Sequence, residues 1–423
     1  MSKVLTVALI GGGNRGVRYT EHMRQFPDRY KIVALAEPLK ERREATKKAY
    51  GLSDDMCFEN WDDCFAQGKL ADIAVIATQD KEHYIPAMKA ISLGYDIMLE
   101  KPISPEPKEC AEIARYAKEK NVRIVVCHVL RYTPHYMTLK KMIDSGEIGD
   151  IITINHEENV GHVHHCCSYV RGPWGNVERS SQMLLAKSCH DLDLIQWLLN
   201  KQCKKIQSFG SLSYFKAENA PEGAPERCHE GCPHEATCPY SALKIYVNSD
   251  SLFWRRHATQ LPNPTEEDAM ELLRTTQYGK CAFKCDNDVV DHQTVNMLFE
   301  DNATATFTMS STNEGGRWTH IMGTKKEVFV DGMEKPIRVF DLSTEETTLI
   351  DVSGGKDSAE YGHGGGDYGI VRDMYDYFVG NEVSSQISDI SISAENHLLV
   401  FAAEKARFEG TVVDIEEYKN SFF

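Results

Sequence analysis

The chain has 423 residues, 42% hydrophobic and 26% charged, which is enough for two or three domains with full cores and excludes disordered, fibrous and membrane-embedded classes. Its 47 Lys and Arg against 63 Asp and Glu give a net charge of -16, which repels phosphate backbones and anionic lipid, so neither nucleic acid nor a membrane is expected as a partner. No stretch approaches the roughly 18 apolar residues that span a bilayer, and the apolar run 4–10 passes into glycines without the regions of a signal peptide. A cytoplasmic location is therefore expected, with the 13 cysteines as reduced thiols or metal ligands.

The run 4–10 reads as a strand leading into Gly11-Gly12-Gly13-Asn14-Arg15-Gly16, a G-x-G-x-x-G turn, and then a helix around 17–25. The first glycine permits the tight turn, the second lets backbone approach a pyrophosphate, and the third lets helix pack on strand. A second strand, 31–36, ends in Glu37, where a carboxylate accepts hydrogen bonds from ribose hydroxyls and opposes a 2′-phosphate. NAD is therefore expected over NADP, with Arg42 and Arg43 just downstream working against that preference.

Strands at 72–77, 96–99 and 123–127 alternate with helices at 83–93 and 107–118, which predicts an α/β, doubly wound parallel sheet over 1–128. The expected cofactor-contacting set is Gly11, Gly13, Asn14, Arg15, Gly16, Glu37, Thr78, His83, Glu100, Lys101 and His128.

Beyond 129 the pattern changes to longer β-like segments at 151–157, 206–215, 289–299, 303–310, 320–324 and 327–330, with helices at 368–379 and 391–409 closing the chain. This predicts a C-terminal α+β domain, 129–423, built on a large, mostly antiparallel sheet and binding substrate. The stretches 219–226 and 259–267 read as loops.

A helix is predicted over 184–199, placing Lys187, His190 and Asp191 on one face. The polar, aromatic stretch 161–174 and the run Gly362-His363-Gly364-Gly365-Gly366-Asp367 suit a carbohydrate, which needs aromatic faces and fixed donors and acceptors. His165, Arg171, Trp174, His363 and Asp367 are the substrate-binding candidates. His162, His164, His165, Cys166 and Cys167 also allow a metal site, although a strand there sends alternate members to opposite faces.

Cys228, Cys232 and Cys238, in a Cys-rich insertion near 219–240, are spaced as candidate ligands for structural zinc or an iron-sulfur centre. A fourth ligand could come from Cys203, His229, His234, Cys281 or Cys285, and three free thiols are the alternative. Asp286, Asp288, Asp291 and His292 read as polar lining at the end of the sheet.

Glu100-Lys101-Pro102, lying after Ala77-Thr78 and His83 and before His128-Val129-Leu130-Arg131-Tyr132-Thr133-Pro134, resembles the Gfo/Idh/MocA oxidoreductase family, as does 140–149 with its Ile148-Gly149 ending. The family includes glucose-fructose oxidoreductase and inositol dehydrogenase. The resemblance is dense over the first 150 residues and patchy beyond.

It implies that Lys101 reaches both nicotinamide and substrate hydroxyl, that the Lys101-Pro102 bond is cis, and that a homo-oligomer forms through the C-terminal sheet. Family helices carry an Asp, a His four residues on and an Asp three further. His190 and Asp193 fit the last two positions, Asp193 as a substrate-binding candidate, whereas Ala186 replaces the first and Lys187 beside it redefines the site.

The implied activity is NAD-dependent oxidation of a secondary hydroxyl on a sugar, glycoside or cyclitol, with Lys101, His190 and Lys187 as catalytic candidates. The alternative is a glycosidase that uses bound NAD for transient oxidation and elimination. A non-catalytic nucleotide sensor is disfavoured by Glu100-Lys101 together with His190.

Overall fold

The computed structural model describes residues 3–261, 263–352 and 363–422, which fold around two sheets. The first comprises β1 (Leu5–Ile10), β2 (Tyr30–Ala36), β3 (Cys57–Phe58), β4 (Ile73–Ile76), β5 (Asp96–Leu99) and β6 (Ile124–Val126) in the order β3-β2-β1-β4-β5-β6, all parallel. Every residue of β4 is buried, as expected where helices cover both faces. The strand order reverses between β1 and β4, and their carboxyl ends open a crevice there.

Gly11 at φ +96° sits in that opening, and a Cβ there would lie 2.5 Å from the Ala77 carbonyl oxygen. A Cβ on Gly16 would lie 2.1 Å from the Gly11 oxygen, so both positions require glycine for the turn into the helix Asn14–Met23.

The second sheet comprises β7 (Ile151–Asn159), β8 (Cys203–Ser211), β9 (His292–Phe299), β10 (Thr304–Ser310), β11 (Gly316–Gly323), β12 (Lys326–Asp331), β13 (Ile337–Asp341), β14 (Thr347–Ile350) and β15 (Val413–Asp414). Its order is β14-β13-β12-β11-β7-β10-β9-β8-β15, antiparallel except for β7 against β10. The chain then returns to the first sheet. Ile370, Val371, Met374 and Phe378 of the helix Gly366–Val379 join the core of β1 and β2. The helix Ile390–Glu409 places Ile390 and Ala394 in the first sheet's core and Leu399, Val400 and Ala403 in the second's. Each buried Ile, Leu and Val side chain contributes about 1.5–3 kcal/mol, so this helix fastens the two halves together.

Three local expectations change. The helix predicted over 184–199 is two, Met183–Ala186 and Cys189–Leu199, with Lys187 and Ser188 at the break, so Lys187 does not share a continuous face with His190. The strand predicted to reach 215 ends at Ser211, because Asp291 draws the Ser213 and Tyr214 amides onto its carboxylate at 2.9 and 2.6 Å. The segment His162–His165 is a helical turn continued by a π-turn, Cys166–Val170, rather than a strand. Gly362 lies outside the described residues.

Candidate functional site

At the head of the crevice, Glu37 follows β2 and is 3% exposed. Its carboxylate accepts from the Gly12 amide at 2.7 Å and the Leu39 amide at 2.9 Å, which ties the end of β2 to the glycine turn. Arg43 turns away, donating to the Glu37 and Pro38 carbonyls and to Glu59, whereas Arg42 is half-buried and bonds Gln260. Thr78 bonds the Glu82 carbonyl, and the His83 ring lies 2.6 Å from the Pro102 oxygen and 3.2 Å from the Thr78 oxygen, bracing the cis Lys101-Pro102 peptide.

Glu100, at the end of β5, accepts from Arg15 Nε and Tyr19 OH, both at 2.7 Å. Burial favours its neutral form, but Arg15 and Lys101 hold its pKa below the usual carboxylate value. Arg15 also grips Asp367 through both terminal nitrogens, at 3.0 and 2.7 Å, and His363 lies 3.0 Å from the same carboxylate. His363 and Asp367, read from sequence as substrate-binding candidates, thus lie against the glycine turn's helix, where they latch the returning chain to Arg15.

Deeper in, Lys101 Nζ donates to the Ala186 carbonyl at 2.7 Å, an acceptor left available by the helix break at Lys187. His190 begins the next helix, and its ring centroid is 5.7 Å from that of His128, which in turn lies 5.6 Å from that of His397. Burial, reinforced by the Lys101 charge, pushes the His190 pKa well below 6.5, and its Nδ1 is a buried nitrogen without a hydrogen-bond partner. Burial likewise lowers His128 to about 4 and His397 to about 3. Asp193 faces elsewhere: Arg131 holds it bidentately at 2.7 and 2.6 Å and Asn396 caps it at 2.5 Å, so it braces the helix from behind.

Beside His190 lies a charged bank that sequence reading largely missed. Lys187 Nζ is 3.2 Å from Glu158, and Arg317 pairs with Glu158 and, through Nε at 2.7 Å, with Asp191. His156 lies 3.0 Å from the same Asp191 oxygen, and Thr319 and Tyr136 continue the chain of hydrogen bonds. Burial alone would raise the Asp191 pKa, but Arg317 and His156 hold it far below the carboxylate range, and its second oxygen has no hydrogen-bond partner. Burial outweighs Glu158 at Lys187 and lowers its pKa. Glu158 and Arg317 are cross-strand neighbours on β7 and β11, a pairing visible only once the register is known.

Of the remaining candidates, Trp174 Nε1 donates to Asp80 at 3.1 Å at the crevice rim. His165 stacks on Phe215 with ring centroids 5.4 Å apart, inside the protein. Arg171 donates to the Lys280 and Tyr240 carbonyls and to the thiols of Cys166 and Cys228, at 3.3 and 3.5 Å, anchoring the insertion instead of meeting Lys101. Among the described residues, no group of three or more His, Cys, Asp and Glu side chains is arranged to hold a metal ion, so the expectation of zinc on Cys228, Cys232 and Cys238 is not supported. A guanidinium already sits against Cys228, opposing a second cation, and burial raises the pKa of Cys238 and Cys281, favouring thiols that are poor metal ligands.

Comparison with known proteins agrees with the two-sheet fold. Residues 5–128 match the model of an oxidoreductase family with an NAD-binding Rossmann fold, and residues 136–227 match the GFO/IDH/MocA C-terminal domain, together just over half of the chain. A putative oxidoreductase of Bacillus subtilis, YteT, is 22% identical over 375 residues, 84% of either chain. An inositol 2-dehydrogenase of Corynebacterium glutamicum is 24% identical over 209 residues, 49% of this chain and 58% of that protein. The solved structure of a levoglucosan dehydrogenase in complex with NADH and L-sorbose superposes with a TM-score of 0.71 at 16% identity, covering 98% of this chain and 99% of that one. The chain belongs to the Gfo/Idh/MocA oxidoreductase family, with an NAD-binding Rossmann fold followed by the family's C-terminal domain.

Proposed function

We propose that this protein is an NAD-dependent dehydrogenase that removes hydride from a carbon bearing a secondary hydroxyl on a sugar, glycoside or cyclitol. The observation that carries the reading is the pairing of Lys101, fixed on Ala186, with a neutral, unpartnered His190 nitrogen at the carboxyl ends of the parallel strands. The names of the similar proteins, an inositol dehydrogenase and a levoglucosan dehydrogenase, support the substrate class.

The glycine turn is the place for a dinucleotide: a Cβ on Gly13 would meet nothing nearer than Arg42 at 3.6 Å, so the backbone there is open to a diphosphate at the helix N-terminus. Glu37 would hold the ribose, and Thr78, Glu100 and His128 would line the remainder. When bound, NAD supplies the hydride acceptor. His190 takes the hydroxyl proton, and the Lys101 ammonium stabilises negative charge developing on that oxygen. Asp191, Glu158, Lys187 and Arg317 offer acceptors and donors to neighbouring hydroxyls.

This reading places the nucleotide in 1–128 and the substrate groups mainly in 129–423. Ile152, Phe209 and Trp318 on the second sheet, 55, 57 and 42% exposed, support that sheet as the contact of a homo-oligomer. No helix among the described residues is long and apolar enough to cross a membrane.

The test is a panel of free sugars, inositols and methyl glycosides assayed with NAD for NADH absorbance and for products together. NADH accumulating with an oxidised product supports the dehydrogenase. Cleavage of a glycoside without net NADH replaces it with the redox-neutral reaction.

A further inference from the structure

The helix Phe253–Thr259 follows the Cys-rich insertion and is held by side-chain contacts to the segment before it. Arg255 Nε donates to the Tyr246 carbonyl at 2.7 Å, its NH2 donates to the Val247 carbonyl, and Ala258 packs in an apolar cluster with Tyr246 and Leu273. That anchoring sets two aromatic side chains of the helix against the segment leading to the reaction centre. The Trp254 ring lies 5.4 Å from those of His164 and His257, and His257 lies 6.4 Å from Trp174 with the planes inclined by 26°. The last separation is near the outer limit for direct stacking. Trp174, Trp254, His164 and His257 are each only partly buried.

The wall touches the candidate site at both ends. Trp174 bonds Asp80 at the crevice rim, and its ring lies 6.3 Å from that of Tyr169. Tyr169 feels the charge of Glu158, and His164 that of Lys187, both members of the charged bank. Burial lowers the pKa of His164 and of His257, with Lys187 adding to the effect at His164, so both rings are uncharged near neutrality. An uncharged aromatic surface, with Trp254 set edge-on to His257 at 82°, therefore borders a hydrogen-bonding, charged one. Sugar rings present a C–H face to aromatic surfaces and hydroxyls to polar groups, so the aromatic surface suits a ring next to one held at the polar groups.

We propose that Trp174, Trp254 and His257 form a subsite for a second ring joined to the reacting sugar, so that the substrate is a glycoside whose leaving or linked portion is a ring with an apolar face. The inference rests on the dehydrogenase reading for the identity of the reacting ring but can fail separately from it.

The test uses NAD-loaded protein and binding of methyl, phenyl and glucosyl glycosides of glucose and of galactose, measured by calorimetry. The subsite predicts that the phenyl or the glucosyl compound binds about tenfold tighter than its methyl counterpart, the scale of one well-made ring contact. Which of the two gains identifies the second ring as aromatic or as a sugar. Trp254→Ala and, as a milder change, His257→Ala should each bring that ratio towards one. Equal affinity across the series, no binding by any member, or a preference that survives both substitutions overturns the subsite. NADH formation from a single-ring compound tests the dehydrogenase reading independently, so loss of the ratio with turnover retained removes only the subsite.

Discussion

Lys101 Nζ lies 2.7 Å from the main-chain oxygen of Ala186, so a carbonyl stands where the resemblance leads one to expect a carboxylate beside the lysine. The ammonium is oriented there without having its charge cancelled by the residue at 186, and that charge adds to burial in keeping the His190 imidazole neutral. Replacing Lys101 or His190 with alanine should lower kcat by about 100-fold or more while NAD binding persists. Introducing the missing acid, Ala186→Asp, should neutralise Lys101 and raise the proton affinity of His190. The check is the shift of the acidic limb of the kcat/KM profile towards higher pH.

That limb in the unaltered protein should lie well below pH 6.5. His190 accepts a proton only when neutral, and its depressed pKa keeps it neutral as pH falls through the ordinary histidine range. A pH–rate profile whose acid limb falls at 6.5 would assign the base to a solvent-exposed histidine instead.

Stability should respond to the same burial. His128 and His165, lowered to about 4, and His397, lowered to about 3, stay neutral in the fold but protonate in the unfolded chain below pH 6.5. The unfolded state then binds more protons, so their contribution is complete above 6.5 and is lost as pH falls towards 4. Each histidine titrating in this way contributes a slope of about 1.4 kcal/mol per pH unit. Melting temperatures recorded between pH 7 and 4 should fall steeply through about this window, and a flat profile contradicts the assignment of buried neutral rings.

Glu37 makes the cofactor prediction. With Arg43 engaged by backbone carbonyls and Glu59, a ribose held at Glu37 would meet a carboxylate, so kcat/KM should favour NAD over NADP. Glu37→Ala should narrow that preference and, because it also frees the Gly12 amide, weaken binding of both nucleotides.

Arg317 is the keystone of the charged bank. Arg317→Met leaves Glu158 and Asp191 buried without their main counter-charge, which costs about 3–5 kcal/mol where a buried pair is broken from one side. Thermal unfolding should show the loss, and KM should rise more than kcat falls if the bank holds neighbouring hydroxyls.

Much of this was legible in the sequence because it is local. The glycine turn, Glu37 after a strand, and Glu100-Lys101-Pro102 each occupy a few consecutive residues whose conformation follows from their own chemistry, and the parallel sheet follows from the alternation of strands and helices. The bank of Glu158, Arg317 and His156 depends on cross-strand register, which no single segment encodes. An unbroken helical period puts Lys187 one turn from His190, but the chain breaks there and its Nζ turns to Glu158. Arg171 and His165 carry the residue types of a sugar site, yet burial against the insertion directs them to carbonyls, thiols and Phe215. Spacing likewise suggested a metal at Cys228, Cys232 and Cys238, where the three-dimensional neighbour is a guanidinium.

The most direct test of the central claim is a single-turnover measurement with NAD-loaded protein, in which sugars, inositols and glycosides are added one at a time and reduced nicotinamide is followed by absorbance. The account predicts that at least one of these compounds reduces the bound NAD in the unaltered protein and that Lys101→Ala, still carrying NAD, does so about 100-fold more slowly or more slowly still. Reduction at an undiminished rate in Lys101→Ala, or no reduction by any compound carrying a secondary hydroxyl, contradicts it.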